Sequence, residues 1–180
     1  MSYLLASGEQ MHIREVISDD APVLLALFQQ VARESAFLLV SPSEADRTTV
    51  EEMKERIETY TDNKNSLFIV AVTEKELVGG LTLMQYEWQK QEHIASLDIA
   101  VKSSHWNLGI ARRLMNDVMQ WLETQTVIKC IQLEVMANNE KGIRLFRNFG
   151  FHEEGRQARA IYLDHGMYED VVLMGKWIGG

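Results

Sequence analysis

The chain has 180 residues, 46% of them hydrophobic, and a formal net charge of −8. That length gives one compact domain with ample core, and the negative charge argues against a nucleic-acid backbone as partner. No apolar run reaches the roughly 20 residues that cross a bilayer, the first ten residues lack the basic and long apolar segments of a secretory leader, and Cys130 stands alone with no internal disulfide partner, so the sequence predicts a cytoplasmic protein with no membrane association.

Residues 1–10 read as a loose N-terminal arm, and 11–177 as the single domain. Residues 11–16 predict a first strand. Asp19 and Asp20 then precede a helix whose Leu24, Leu27, Phe28 and Val31 fall on one face. Residues 35–45 contain Pro42 and read as loop. Thr48 and Glu51 have capping-box spacing for a second helix ending near Tyr60. Residues 67–72 and 77–86, joined by Glu74-Lys75-Glu76, predict a hairpin, and Gly79-Gly80 in its second arm predicts a bulge or a close backbone approach.

Residues 94–101 predict the next strand, and a helix follows from Gly109 to about Glu123 with Ile110, Leu114, Val118, Trp121 and Leu122 inward. Residues 130–136 are a strand, and 139–148 a short helix closed by Gly150. Two strands, 155–163 and 168–174, flank an Asp164-His165-Gly166 turn. The order β-α-α-β-β-β-α-β-α-β-β predicts a mixed sheet covered by helices, an α/β (α+β) class distinct from the doubly wound pattern.

The stretch 101–114 carries the most chemistry. A strand stops, a polar loop containing Gly109 follows, and a helix starts at once. Its first amides are unpaired and lie at the positive end of the helix dipole, which makes an anion pocket, most often for a phosphate. Gly109 lets backbone approach closely, and Arg112 brings a mobile positive charge into the first turn. Taken alone, the same residues also read as a plain loop-to-helix turn with a solvated arginine. A P-loop is excluded, because no Gly-Lys-Ser/Thr follows.

Two motifs resemble the GNAT superfamily of acetyl-coenzyme A-dependent N-acetyltransferases. Trp106-Asn107-Leu108-Gly109-Ile110-Ala111 matches Arg/Gln-x-x-Gly-x-Gly/Ala after a strand. Asn139, Gly142, Phe146 and Gly150-Phe151 match an Asn, an Ala three residues on, an aromatic seven on, and a Gly-Phe pair. The resemblance covers about 11–177. It implies the GNAT fold: a mixed, mostly antiparallel sheet of about seven strands flanked by about four helices, with a V-shaped split between strands 4 and 5, here 94–101 and 130–136. It also implies acetyl-coenzyme A as co-substrate. The cofactor's diphosphate would sit on the amides of Asn107, Leu108, Gly109, Ile110, Ala111 and Arg112, its pantetheine arm along the backbone of Ile99 and Val101, with Asn139 and Phe146 touching it from the far side. Asn139 also reads as a helix N-cap and Phe146 as core. Trp106, which the resemblance counts among the cofactor-binding residues, replaces the usual Arg or Gln and also reads as loop packing. Asn107, standing for a glycine, tolerates a left-handed backbone, so the cradle survives.

The implied reaction transfers acetyl directly to an amine, which needs a base, an oxyanion donor and an acid. Neutralising a lysine-like amine at pH 7 costs about 4–5 kcal/mol, while protonating a cysteine-like thiolate lacks only about 2 kcal/mol, so the base matters more. The family's tyrosine acid falls on Phe146, which has no hydroxyl; Tyr162 and Tyr168 are substitutes. Its strand glutamate falls on Ala95 or Ser96. Asp98, on the same alternating face as Ser96, is the candidate base and Glu134 the second; each also reads as a carboxylate satisfied by neighbours. The implied oxyanion donor is the main-chain N–H near Ile99. Glu51, Glu52, Glu55 and Glu58 on the second helix read as a solvated face or as an acidic lip to the acceptor site. The five histidines show no ligand spacing, so no metal is predicted.

The expected function is transfer of acetyl to a primary amine of a small molecule, a polyamine or a peptide N-terminus. Its rival is a non-catalytic acyl-coenzyme A-binding or sensing module, supported by Phe146 and the missing glutamate. A homodimer through exposed C-terminal strands is the expected assembly.

Overall fold

The computed structural model describes residues 2–5, 7–163 and 166–179. Among the described residues are eight strands and five α-helices: β1 (Ser2–Leu4), β2 (Gln10–Glu15), α1 (Ala21–Glu34), α2 (Pro42–Arg47), α3 (Val50–Thr61), β3 (Leu67–Thr73), β4 (Leu77–Gln85), β5 (Ile94–Val101), α4 (Ile110–Leu122), β6 (Cys130–Met136), α5 (Glu140–Asn148), β7 (His152–Tyr162) and β8 (Tyr168–Trp177). The predicted mixed sheet holds, with one strand and one helix more than expected. The predicted turn residues Asp164 and His165 lie outside the described residues.

The chain divides into two compact units, residues 1–84 with 98–125, and residues 85–97 with 126–180. In the first, β1, β2, β3, β4 and the second half of β5 are neighbours in that order. Where a loose arm was expected, Ser2–Leu4 pairs antiparallel with β2. It is held from the side: Arg113 stacks 4.5 Å over the Tyr3 ring and donates to the Leu4 carbonyl at 3.2 Å. Tyr3 donates to Asp117 at 2.7 Å; burial first, then that acceptor and its charge, push the phenol up to about 12.

Local signals set the helices, with shifts the structure explains. Pro42 starts α2 instead of breaking a loop. Proline fits the first turn, where its missing N–H is not needed, and Ser41 and Glu44 form a capping box before it. The α3 box is Thr49 with Glu52, one residue later than predicted. Asp20 caps nothing with its side chain at α1; it grips Arg14 through two bonds of 2.6 and 2.7 Å, which hold its carboxyl below the usual carboxylate range.

The core of this unit forms where α1 and α3 cover one sheet face. Leu24, Leu27 and Val31 meet Met53, Ile57, Phe68 and Val70, with Tyr60 and Ala100 packed at its margin. The α4 stripe Ile110, Leu114, Met115, Val118 and Leu122 is buried. The predicted bulge falls between Ala71 and Val72 of β3, which pair with Gly79 and Leu77. Gly79 is also a close approach: a Cβ there would lie 2.9 Å from the Ala100 carbonyl and 3.0 Å from Val101 Cγ2.

In the second unit the first half of β5, β6, β8 and β7 are neighbours in that order. The β5–β6 pairing is parallel and covers only Ile94–Ser96 with Cys130–Gln132. β6 pairs antiparallel with β8 along its whole length. Phe146 of α5 is buried, edge-on to Phe151 at 5.8 Å.

Candidate active site

The loop after β5 is fixed by four contacts. Buried Lys102 pairs with Glu76 of the β3–β4 turn, and its N–H donates to Val78 C=O at 2.9 Å. The Ser103 N–H donates to Glu34 Oε2 at 2.9 Å, and this bond, with Gln30, lowers the Glu34 pKa. The Trp106 indole N–H donates to Val101 C=O at 2.7 Å. Trp106 therefore staples the loop to the end of β5, the packing role expected of it.

The chain then turns left-handed twice, at Asn107 (φ 62°) and Gly109 (φ 80°), the second being the α4 N-cap. These are conformations that Asn and Gly adopt most readily. Arg113 is the first amide of the turn with an in-chain acceptor, Gly109 C=O at 3.1 Å. Among the described residues, the amides of Asn107, Leu108, Gly109, Ile110, Ala111 and Arg112 donate to nothing in the protein. No acidic residue lies in the first turn of this 13-residue helix, so its positive end is uncancelled. Arg112 is exposed and unpaired among the described residues, and nothing lies within 4 Å of a Cβ built on Gly109. An open run of unpaired amides at the positive end of a helix fits a diphosphate.

β5 supplies the second element. The Val78–Lys102 bond and the Tyr86 N–H to Ile94 C=O bond, 3.0 Å, set one antiparallel register for β4 and β5. In it Thr82 stands opposite Asp98. Alternate residues bond the partner strand, so Asp98 and Ala100 face β4 with their main chains, while Ile99 and Val101 turn theirs to the other edge. On that edge β5 has a strand partner only over residues 94–96. The Ile99 N–H is thus left for another acceptor, and Val101 C=O is taken by Trp106.

Asp98 sits in a row. Phe68 of β3 pairs with Thr82 of β4, and Thr82 faces Asp98, so the three side chains share the face that α3 covers. Tyr60 of α3 meets Phe68 edge-on at 5.2 Å and hydrogen-bonds Thr82. Arg56 lies one helical turn earlier, 5.6 Å over the Phe28 ring. Asp98 keeps over a third of its surface open to solvent, yet the protein around it raises its carboxyl above the usual range by desolvation, with Arg56 pulling back. The two observations describe a carboxylate that reaches solvent from a recessed position. Sequence reasoning found Asp98 but passed over Arg56, Tyr60 and Thr82; the i, i+4 spacing of Arg56 and Tyr60 was the available signal.

The second unit holds the other predicted residues. Glu134 is exposed on β6, opposite Leu173. Asn139 caps α5, accepting from Gly142 N–H at 2.9 Å, so the N-cap reading stands. Gly142 stands where the motif has alanine; a Cβ there would lie 2.8 Å from Asn139 Nδ2. Tyr162 and Tyr168 pair with each other at the open end of the β7–β8 ribbon, ring to ring at 5.4 Å, and both are exposed. Glu51, Glu55 and Glu58 are exposed, and Glu52 is spent on the Thr49 cap. A polar depression of about 180 Å3 opens beside Tyr60, lined also by Lys64, Ser66 and Trp121. It is below the roughly 300–1,000 Å3 of small-molecule pockets and contains none of the predicted site residues. No group of three or more metal-ligating side chains occurs among the described residues, and no helix among them is long and apolar enough to cross a membrane.

Residues 33–151 match the acetyltransferase (GNAT) family model, and the chain belongs to that family of acyltransferases. It is 27% identical over 119 residues to an L-amino acid N-acetyltransferase of Escherichia coli K12, covering 66% of this chain and 73% of that one. It is 29% identical over 113 residues to the spermidine N(1)-acetyltransferase of Vibrio cholerae, covering 63% and 64%. A GNAT-family acetyltransferase from Streptococcus pneumoniae superposes with TM-score 0.88 at 27% identity, over 94% of this chain and 99% of that one. A protein from Salmonella typhimurium, solved with its cofactor acetyl-CoA, has TM-score 0.82 at 14% identity, over 94% and 95%.

Proposed function

We propose that this chain, as one acetyltransferase domain over residues 11–177 acting in the cytoplasm, uses acetyl-coenzyme A to acetylate the primary amine of a small molecule, polyamine or peptide N-terminus. The observation that carries the reading is the run of six unpaired amides, Asn107 to Arg112, opening on a left-handed Gly109 after a strand with a free edge. When bound, acetyl-coenzyme A supplies the acyl group as an activated thioester. Asn107, Leu108, Gly109, Ile110 and Ala111 hold the diphosphate through main-chain N–H groups, and Arg112 adds its charge. The free edge of β5 at Ile99 aligns the pantetheine arm. The same N–H group is the donor offered to the developing oxyanion.

Asp98 takes the proton of the incoming amine. Its raised pKa makes it a stronger base than an ordinary carboxylate, and its exposure gives the amine access. Glu134 is the second candidate. Phe146 packs and moves no proton, so the departing thiolate takes its proton from water, a deficit of about 2 kcal/mol if the thiol resembles cysteine. Asn139 caps α5.

Thiol release from acetyl-coenzyme A with a panel of amines, polyamines and peptides tests this. Turnover with at least one amine, abolished in Gly109→Asp together with coenzyme binding, is expected. Unchanged coenzyme affinity in Gly109→Asp would remove the site.

A further inference from the structure

Arg56 is an arginine without a partner next to the candidate base. It is exposed on α3, lies over the Phe28 ring, and makes no hydrogen bond or ion pair with any described residue. The reason lies in its own helix. Glu52, four residues earlier, would ordinarily pair with it, but Glu52 Oε2 is engaged by the Thr49 N–H at 2.8 Å and by the Thr49 hydroxyl at 3.2 Å. Tyr60, four residues later, bonds Thr82, and Thr82 stands beside Asp98 in the β4–β5 register. The packing therefore brings one uncommitted guanidinium and one open carboxylate to the same end of the same face.

They do not form an ion pair, so neither group has spent its charge on the other. Asp98 nevertheless feels Arg56, whose charge offsets part of its desolvation. A polyamine is poorly served by this arrangement, because its second ammonium would meet a cation. A peptide N-terminus presents an amide where Arg56 offers a charged donor fork. A molecule with an amine and a carboxylate on adjacent carbons satisfies both groups at once: the amine at Asp98, the carboxylate on the planar guanidinium.

We infer that the acceptor is a free amino acid, and that Arg56 is the residue that reads its carboxylate. The inference rests on the acetyl-transfer reading of the same site and narrows its acceptor class. Peptides and polyamines become outcomes of the test.

Common L-amino acids, their carboxamides and spermidine are titrated by calorimetry into the protein saturated with coenzyme A, and the same set is assayed for thiol release with acetyl-coenzyme A. At least one amino acid is expected to bind about 10- to 100-fold tighter than its carboxamide, the range for a hydrogen-bonded charge pair. Arg56→Gln should erase that gap by weakening the amino acid alone, and Arg56→Lys should restore part of it. Coenzyme affinity should stay unchanged in both variants, because Arg56 lies on α3 and not in the amide cradle. Equal binding of acid and amide, tighter binding of spermidine, or an Arg56→Gln variant that weakens acid and amide alike would overturn the assignment. An Arg56-dependent gap in binding without turnover of any amine would uphold Arg56 as the residue that reads the carboxylate of a bound amino acid, and would overturn both the acetyl-transfer reading and the assignment of that amino acid as acceptor.

Discussion

Asp98 shows how one side chain can carry opposed demands. Desolvation raises its pKa, which improves it as a base and makes its charge a burden on folding. Between its ordinary value of 3.8 and its native value, the folded chain binds more protons than the unfolded one, so this group's contribution to stability falls as pH rises through that window. Asp98→Asn should therefore melt higher than the parent at pH 7, with the difference vanishing below about pH 3.8. The same variant should lose most of its turnover, about 100-fold or more for removal of a general base, with coenzyme affinity unchanged. The parent's rate should fall on acidification with a midpoint above 3.8, a limb absent from the variant. Full activity in Asp98→Asn would transfer the role to Glu134. Asp20 has the opposite sign. Arg14 lowers its pKa, so its stabilisation is complete above the ordinary value and is lost as pH falls through the native one.

At the scale of elements, the anion cradle depends on where β5 ends and α4 begins, and several neighbours determine that. Lys102 ties the strand end to the β3–β4 turn, Glu34 of α1 ties Ser103, and Gly79 lets β4 lie close against Ala100 and Val101. Gly79→Ala would drive a Cβ to 2.9 Å from a backbone carbonyl, which cannot swing aside as a flexible side chain could. We expect a loss of about 1–3 kcal/mol in urea unfolding, with weaker coenzyme binding although residue 79 contributes no donor to the cradle. Unaltered coenzyme affinity would mean that the loop is held independently of β4.

At the scale of the molecule, a ligand that binds only the folded chain must stabilise it. At 100 times its dissociation constant, coenzyme A contributes about 2.7 kcal/mol, which for a chain of this length corresponds to a rise of about 5–10 °C in Tm. Gly109→Asp should melt somewhat below the parent value without coenzyme, since the left-handed backbone strains any side chain although no atom crowds its Cβ. It should show no rise when coenzyme is added. A full rise in this variant would place the carrier elsewhere on the chain.

Much of this was legible in the sequence because it is local. Apolar spacing fixed the inward faces of α1 and α4, residue type fixed the left-handed turns at Asn107 and Gly109, and motif spacing marked the cradle. Other features needed neighbours distant in sequence. β1 is a strand because Arg113 and Asp117 hold Tyr3, more than a hundred residues away. The α2 helix starts at a proline that local reading took for a breaker, and the α3 cap lies one residue later because two adjacent threonines both satisfied the pattern. The surroundings of Asp98 are the clearest case. Thr82, Tyr60 and Arg56 meet it only through strand register and helix packing, and Arg56 is left unpaired because a cap one turn away occupies its natural partner. Spacing along the chain encodes what a backbone segment can do alone; which charges remain unanswered is decided only when distant segments pack together.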